Sequence, residues 1–308
     1  MKLSFADFPL DYYPEIAGNL PLRLRYIREC GFRCVDFNVT EAYLGEELAQ
    51  KAALLRASLC ELGMSAPQAH APIVNPFAPQ GRDYMTVYRR ALEFCALAGI
   101  PRIVIHAGAV KENTREEYFS RNAEFYRSLA PFAEKTGVKI LVENIGHAGD
   151  DNFLRYGSDL CEMLDMIGSP FFAACWDTGH GNLNRQDLYK TVVLLGKRLA
   201  ALHVHDNCGY FEPSHRHHRI DMHAPPFATQ YASVNYDALL QGLKDIGYEG
   251  TFSFEVLTSA RAIRPDFVYG GEVVRKLEKT PVSLWVKANA LLYETGKYML
   301  EAYGLFEE

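Results

Sequence analysis

The sequence predicts a (β/α)8 barrel, and three observations support this fold class. Short apolar runs, typical of buried parallel strands, alternate with longer stretches in which apolar residues return every three or four positions. Eight such strand and helix units fit into the 308 residues, which is the number that the barrel requires. No Gly-x-Gly-x-x-Gly motif follows the first run, which disfavours a doubly wound dinucleotide-binding sheet, the competing architecture.

Each element can be placed on the chain. The predicted strands are Leu3–Phe5, Cys34–Asn38, Ala66–His70, Arg102–His106, Lys139–Asn144, Phe171–Asp177, Ala200–His205 and Thr251–Val256. The clearest predicted helices are Leu44–Leu62, Asp83–Ala98, Arg115–Thr136, Leu154–Met166, Gln186–Leu195 and Tyr236–Ile246. Gly63, Gly137 and Gly247 follow helices, where a left-handed residue commonly ends the helix. Because no linker or low-complexity tract interrupts this order, we expect one domain over residues 1–308.

The last segment, from about Gly270 to Glu308, is expected to be a helical extension of the barrel. Most of its apolar residues should pack on the barrel. A surplus apolar face on it would mark a contact between copies of the chain, as in a homo-oligomer. The apolar residues in question are Val273, Leu277, Leu284, Trp285, Ala288, Leu291, Leu292 and Met299.

Composition excludes several classes of function. The net charge is −6, which gives no general attraction to a phosphate backbone, so we expect no nucleic-acid partner. The 7 cysteines lie mostly in apolar segments and never as Cys-x-x-Cys, as is typical of reduced thiols. No stretch is apolar for long enough to cross a bilayer, and the N-terminus lacks the pattern of an export signal. We therefore expect a cytoplasmic protein.

The run from Phe171 to His180 is the most informative stretch of the chain. It is apolar up to Trp176, then ends at Asp177, and His180 follows three residues later. A carboxylate and an imidazole at a strand end are common ligands of a divalent metal. The alternative interpretation is that Asp177 only caps the next helix, with His180 on the surface.

Other strands end in the same way. In a barrel the carboxyl ends of all strands open on one face, so residues far apart in sequence converge there. A single histidine or glutamate after a strand is usually a core or capping residue, but six consecutive strands finish in such groups. Because ionised groups buried without partners are unfavourable, a cation at the barrel mouth explains the pattern. The groups are His70, His106, Glu143, Asp177 with His180, His203 with His205, and Glu255.

Strand seven requires a choice between two histidines. His203 and His205 share a face but differ in depth. The residue nearer the strand end, His205, is expected to bind the metal, and His203 is expected to support the site from a deeper position. The following loop, Cys208–Phe227, adds Asp221 and His223 as candidates for further metal or substrate contacts. His217 and His218 in that loop fit a solvated surface better. Arg216 and Arg219 are weaker candidates, for a phosphate or a sugar hydroxyl.

These pieces together resemble the xylose isomerase-like TIM-barrel superfamily, which includes sugar and sugar-phosphate isomerases, ketose 3-epimerases, inosose dehydratase and endonuclease IV. The resemblance covers nearly the whole chain and depends on the order and spacing of short motifs. They are His-Ala-Pro at His70, His-Ala-Gly at His106, Val-Glu-Asn at Glu143, Asp-Thr-Gly-His at Asp177, His-Val-His-Asp-Asn at His203, Asp-Met-His-Ala-Pro-Pro at Asp221 and Phe-Glu-Val at Glu255.

The resemblance implies one divalent metal ion, Mn, Mg, Co or Zn, held by Glu143, Asp177, His205 and Glu255. It also implies that His180 contacts the substrate. We expect further substrate contacts from His203, His70 and His106, and stacking of Trp176 or nearby aromatic residues on the apolar face of a sugar. Endonuclease IV holds three zinc ions, at positions that resemble His70, His106, Glu143, Asp177, His180, His205, Asp221, His223 and Glu255, and all nine are suitably occupied here.

The function predicted is therefore that of a metal-dependent sugar or sugar-phosphate isomerase or epimerase. The metal would bind the carbonyl and hydroxyl oxygens of a small carbohydrate and stabilise an enediolate. Glu143 and Glu255 would serve as base and acid on opposite faces. A dehydratase could use the same site. Two rivals remain: a zinc-dependent phosphodiester hydrolase like endonuclease IV, and a barrel that only binds a ligand, which would have lost at least one of the candidate ligands.

Overall fold

The computed structural model describes residues 1–78, 83–109, 114–146, 152–209, 221–228, 230, 232–257, 267–274 and 280–308. Eight parallel strands form its centre. They are β1 (Leu3–Ala6), β2 (Cys34–Asn38), β3 (Ser65–His70), β4 (Arg102–Val104), β5 (Lys139–Glu143), β6 (Phe172–Asp177), β7 (Leu199–His203) and β8 (Phe252–Phe254). Every strand predicted from the sequence is present, and the bounds differ by no more than two residues.

The strands close into a barrel. Their order in the sheet is β7-β6-β5-β4-β3-β2-β1-β8, so each strand lies beside its neighbour in the chain. The remaining seam, between β7 and β8, is bridged just beyond β7. There the Val204 amide donates to the Ser253 carbonyl at 2.8 Å and the Glu255 amide donates to the Val204 carbonyl at 3.1 Å. The predicted (β/α)8 fold is confirmed.

The helices surround the barrel. They are α1 (Pro14–Ala17), α2 (Leu20–Glu29), α3 (Leu48–Glu61), α4 (Tyr84–Ala98), α5 (Arg115–Thr136), α6 (Gly157–Ile167), α7 (Thr178–Leu183), α8 (Leu188–Leu195), α9 (Tyr236–Asp245) and α10 (Val282–Ala302). As predicted, Gly63, Gly137 and Gly247 follow helices with positive φ angles of 60°, 71° and 63°. Among the described helices, none combines the length and apolar character needed to cross a membrane.

The tail differs from its prediction in one part. It does not become helical at Gly270, because β9 (Phe267–Tyr269) and β10 (Glu272–Val274) pair as an antiparallel hairpin. The hairpin turns at Gly270 and Gly271, with φ angles of 63° and 85°, and two consecutive positive φ angles suit a tight two-residue turn. The predicted helix is α10, which begins only at Val282.

One face of α10 packs on the barrel and another is exposed. Trp285, Leu292 and Met299 are buried, as predicted. Leu291 and Tyr298, which are seven residues apart and so share a helix face, are 69% and 70% exposed. This is the surplus apolar face considered from the sequence. The homo-oligomer remains a prediction, which the molar mass in solution would test.

Two apolar layers stabilise the barrel, and the inner one closes the bottom of its open end. The large layer lies between strands and helices and includes Trp176 and Trp285. A small layer fills the barrel interior, from Val104, Leu141, Ala173, Cys175 and Ala201. Since side chains on a strand alternate, the residue two positions after Leu141 again faces inward, and that residue is Glu143. The apolar interior therefore gives way to a polar layer toward the carboxyl ends of the strands.

A buried ion pair between Arg23 and Asp7 lies at the end of β1. Arg23 Nη1 donates to Asp7 Oδ2 at 2.8 Å, and both side chains are buried. Burial raises the pKa of Asp7 to about 6 even though Arg23 acts to lower it. An Arg23→Met variant should lower the free energy of unfolding by about 3–5 kcal/mol at pH 8, because the carboxylate stays buried without its partner.

The loss should be smaller at pH 5. Without Arg23 the pKa of Asp7 rises further above its ordinary value of 3.8, so the folded protein takes up a proton that the unfolded chain does not bind. Stability then increases as pH falls. Urea denaturation at both pH values tests this, with the exposed pair Arg198 and Asp165 as the control, where Arg198→Met should change stability by less than about 1 kcal/mol. An equal loss at both pH values would contradict the argument.

Candidate functional site

The carboxyl ends of the strands surround a cavity of about 710 Å³. Its polar wall holds most of the residues singled out in the sequence, and its apolar wall is formed mainly by loops near the rim. A cleft with a few convergent polar groups is the usual form of a small-molecule site. The residues named from the sequence that line it are His70, His106, Glu143, His180, His203, Asp221, His223 and Glu255.

Glu143 is the central residue of this site. It ends β5, is 1% exposed, and its carboxylate contacts histidines from two other strands. Oε1 lies 2.8 Å from His203 Nδ1, and Oε2 lies 2.9 Å from His106 Nε2. Burial by itself would raise the pKa of Glu143, but the surrounding histidines outweigh it and hold the pKa well below its ordinary value. Glu143 is therefore ionised.

His70 and His106 form one side of the site. Nδ1 of His70 faces the carbonyl oxygen of Ala71 at 2.8 Å, and because a carbonyl only accepts, Nδ1 carries the proton. In neutral His70, Nε2 then offers a lone pair. It points at His106 Nε2, 3.0 Å away, which also contacts Glu143. Nitrogen and oxygen atoms that converge in this way need a shared proton or a cation between them.

His180, Asp221 and His223 form the opposite side. His180 Nδ1 faces the Asn144 carbonyl at 2.9 Å and His223 Nδ1 faces the Glu255 carbonyl at 3.0 Å, so each Nδ1 donates its proton. Both Nε2 atoms then point at Asp221 Oδ2, at 3.0 and 3.1 Å. Metal-binding histidines typically donate one ring N–H to a backbone carbonyl in this way, which directs the other nitrogen at the metal.

The same contacts shift the pKa values of His180, Asp221 and His223. Burial acts to lower the pKa of His223, but the Asp221 carboxylate and Glu255 raise it to about 9. Burial also acts to lower the pKa of His180, but nearby carboxylates, chiefly Asp177, raise it well above its ordinary value. Burial would raise the pKa of Asp221, yet the hydrogen bonds from His180 and His223 keep it far below its ordinary value. Without a metal, protons on Nε2 balance the carboxylate.

Asp177 serves both roles that the sequence left open. Its Oδ1 accepts from the backbone amide of His180 at 2.6 Å and so caps α7. Its Oδ2 is buried and has no hydrogen-bond partner among the described residues, and the same holds for both ring nitrogens of His205. His205 Nε2 lies 3.0 Å from Asp177 Oδ1, but not in hydrogen-bond geometry. These unpartnered atoms fit a metal, which binds lone pairs without needing a donor.

The ligand atoms form overlapping groups within 4.8 Å of one another. The two groups of four residues differ in which histidine of strand seven they include. His203 lies with Glu143, Asp177 and Glu255, whereas His205 lies with His180, Asp221 and His223. The described residues able to hold a metal are thus Glu143, Asp177, His203 and Glu255; His70, His106 and Glu143; Glu143, Cys175 and His203; and His180, His205, Asp221 and His223.

Trp176 is not placed where the sequence analysis expected it. Its side chain is fully buried in the layer between strands and helices and does not line the cavity. The reason is strand alternation, since Cys175 and Asp177 face inward and the residue between them must face outward. A methyl group at Gly181 would overlap the Trp176 ring, so α7 covers it closely. Trp176 therefore cannot stack on a sugar in this cavity, contrary to the expectation from the sequence.

Sequence reasoning missed Asp36 on β2 and Gln68 on β3. Asp36 is 2% exposed and lines the cavity floor, where its Oδ2 accepts from Gln68 Nε2 at 2.6 Å. The signal was available, because Asp36 alternates with Asn38 at the end of a predicted strand. A single carboxylate two residues before a strand end is not distinctive by itself, however, because it can equally be a partner in a buried ion pair. Asn144 was also missed, and its Nδ2 donates to the Asp177 carbonyl at 3.0 Å.

The described part of the cavity wall is rich in carboxylates. It contains five of them together with five histidines, and no lysine or arginine of the described ranges lines it. A cation that displaced the protons from the histidines would be attracted by the carboxylates. Arg216, Arg219, His217 and His218 lie outside the described residues. The carboxylates are Asp36, Glu41, Glu143, Asp221 and Glu255.

Known proteins share this fold. Over 272 residues the chain is 22% identical to a ketose 3-epimerase of Arthrobacter globiformis, covering 86% of each chain. A crystal structure of D-psicose 3-epimerase with D-fructose superposes with a TM-score of 0.70 at 15% identity, covering 97% of this chain and 99% of that one. A D-tagatose 3-epimerase-like protein gives a TM-score of 0.71 at 20% identity, covering 99% and 98%. At these identities the structural likeness establishes the fold alone.

A match to a protein family covers most of the chain. The family described as "Xylose isomerase-like TIM barrel" matches residues 24–274, which span β2 to β10 and include all the candidate metal ligands. This confirms the resemblance found in the sequence motifs. The chain belongs to the xylose isomerase-like TIM-barrel family.

Proposed function

We propose that the protein is a metal-dependent sugar isomerase or epimerase. The observation that carries this proposal is the convergence of Glu143, Asp177, His203 and Glu255, whose ligand atoms lie within 4.8 Å of one another. Glu143, His203 and Glu255 line the cavity. The ketose 3-epimerases among its relatives support the same reaction class. A small hydroxy-carbonyl sugar fits a cavity of about 710 Å³.

The chain's own residues would supply proton transfer. Glu143 is ionised and can accept a proton from the carbon beside the carbonyl, while Glu255, 15% exposed at its side chain, can return one. His180 and His223 are positioned to donate to substrate hydroxyls from the opposite wall. A bound divalent cation would stabilise negative charge that develops on the substrate oxygens. We propose Glu143, Asp177 and Glu255 as its ligands, together with one histidine of strand seven. The sequence favours His205, whereas His203 is the histidine whose ligand atom lies within 4.8 Å of the other three.

A specific observation favours a second candidate, zinc-dependent phosphodiester hydrolysis. All nine residues that resemble the endonuclease IV ligands lie in the site, and two groups share no residue: His70, His106 and Glu143 on one side, and His180, His205, Asp221 and His223 on the other. Clustered metals suit phosphate chemistry. The described cavity wall offers no lysine or arginine to bind a phosphate backbone, which disfavours a nucleic-acid substrate.

Metal count and solvent exchange distinguish the candidates. Protein purified without added metal or chelator would be measured by plasma mass spectrometry, then incubated with a panel of ketoses in D₂O and followed by NMR. About one ion per chain, with deuterium entering at the carbon beside the carbonyl, is the expected result. Chelated protein is the control and should exchange at least about 100-fold more slowly. Three zinc ions and cleavage of abasic-site DNA without exchange would favour the hydrolase, and loss of water from the sugar would indicate a dehydratase.

A further inference from the structure

Asp36 is a buried carboxylate that the roles above leave without a function. Its Oδ2 is surrounded by groups from three other strands. Gln68 Nε2 on β3 lies at 2.6 Å, His203 Nε2 on β7 at 3.1 Å, and Ser253 Oγ on β8 at 3.2 Å. Its Oδ1 is buried and has no hydrogen-bond partner among the described residues. The carboxylate therefore lies directly beneath the candidate metal ligands.

His203 connects Asp36 to the two proposed acid/base residues. On the side of the ring away from Asp36, His203 Nδ1 is 2.8 Å from Glu143 Oε1 and 3.3 Å from Glu255 Oε2. Both ring nitrogens thus face carboxylates, and a proton on Nε2 that donates to Asp36 leaves Nδ1 directed at Glu143 and Glu255. A rotation of the ring would break both contacts at once, so Asp36 fixes the ring plane and the ring in turn fixes the carboxylates.

We propose that Asp36 is a positioning residue, which acts through His203 to hold Glu143 and Glu255 in the orientation needed for metal binding and proton transfer. The metal part of this inference rests on the proposed function. Carboxylate partners that orient metal-site histidines typically change metal affinity by about 10- to 100-fold when they are replaced. A purely structural role, through Gln68 and Ser253 alone, would change stability but not affinity.

The experiment compares four variants with the wild type. Asp36→Ala removes the partner of His203, and Asp36→Asn retains an acceptor oxygen without the charge. Ser253→Ala removes a different contact of Asp36. Asp159→Asn is the matched control for loss of a buried carboxylate, since Asp159 contacts Arg115 at 2.8 Å and caps α6 outside the cavity. Each protein is freed of metal, titrated calorimetrically with Mn²⁺, melted, and crystallised without metal.

We expect Asp36→Ala to weaken Mn²⁺ binding about 100-fold, Asp36→Asn about 10-fold, and the other two variants less than about 3-fold, even where their melting temperatures fall equally. In the metal-free crystals of Asp36→Ala, the contact of 2.8 Å between His203 and Glu143 should be broken. If Asp36→Ala does not fold, Asp36→Asn carries the comparison.

Unchanged affinity in the Asp36 variants, or a loss that merely follows melting temperature as in Asp159→Asn, would overturn the inference. Wild-type protein that binds no Mn²⁺ would contradict the proposed function instead. In that case the metal-free crystals of Asp36→Ala still test the inference. If the His203 ring keeps its position and its contact with Glu143, Asp36 does not position it.

Discussion

A Glu143→Gln variant is expected to lose sugar isomerisation or epimerisation by at least about 1,000-fold and to retain little bound metal. Glutamine keeps the shape of the side chain but cannot accept a proton, and positioned acid/base groups contribute about 100- to 10,000-fold. It also removes the negative charge that His70, His106 and His203 face. Turnover of the ketose panel, metal content per chain and unfolding by urea would be measured on the same preparation.

Stability should fall as well. Glu143 is 1% exposed, and breaking a buried ionic group by removing one partner typically lowers the free energy of unfolding by about 3–5 kcal/mol. The control is Glu162→Gln on α6, whose carboxylate is half-exposed and pairs with Arg115, and which should leave turnover and metal content unchanged. A Glu143→Gln protein with wild-type metal content and turnover within about 3-fold would refute the central role of this residue.

A Gly179→Ala variant is the second change for which we expect a large effect. Gly179 lies in α7, where alanine would ordinarily stabilise the helix by about 1 kcal/mol. Here the added methyl group would overlap the ring of His205, which is fully buried and cannot move toward solvent. We expect a loss of about 1–3 kcal/mol in the free energy of unfolding, as for other overpacked sites, together with displacement of His205.

Displacement of His205 should be visible in function. If His205 binds the metal, affinity for Mn²⁺ should fall by at least about 10-fold, in line with other disturbed ligand shells. Gly18→Ala is the matched control, because nothing lies within 4 Å of a methyl group at Gly18 and its φ of −88° suits any residue. Wild-type stability and affinity in Gly179→Ala would mean that His205 has room to shift and does not bind the metal.

Comparison of these residues shows why the sequence was informative about the barrel. Strand ends such as Leu141, Val142 and Glu143 combine an apolar run with an abrupt polar residue, and this pattern needs only local information. The same holds for Gly137, which ends α5 with a φ of 71°. Convergence of the strand ends then follows from the topology, because all strands of a parallel barrel open on one face.

The sequence could not decide which face of a strand points inward when both faces are buried. Residues 171–176 are apolar at every position, as is typical of parallel strands covered on both sides, so the phase of the alternation is not visible. Trp176 was assigned to the site for this reason, although it faces the helices. The hairpin at Gly270 and Gly271 was missed because its valines fit the apolar pattern of a helix as well.

The fold class and the strand-end residues that build the site can be predicted from the chain alone, because alternation of short apolar and longer amphipathic segments is a local property. How those residues group depends on tertiary packing. The depth of His203 and His205, and the contact between Asp36 and His203, depend on the stagger of strands that are far apart in the chain. No local pattern contains that stagger, since it arises when the barrel closes between β7 and β8.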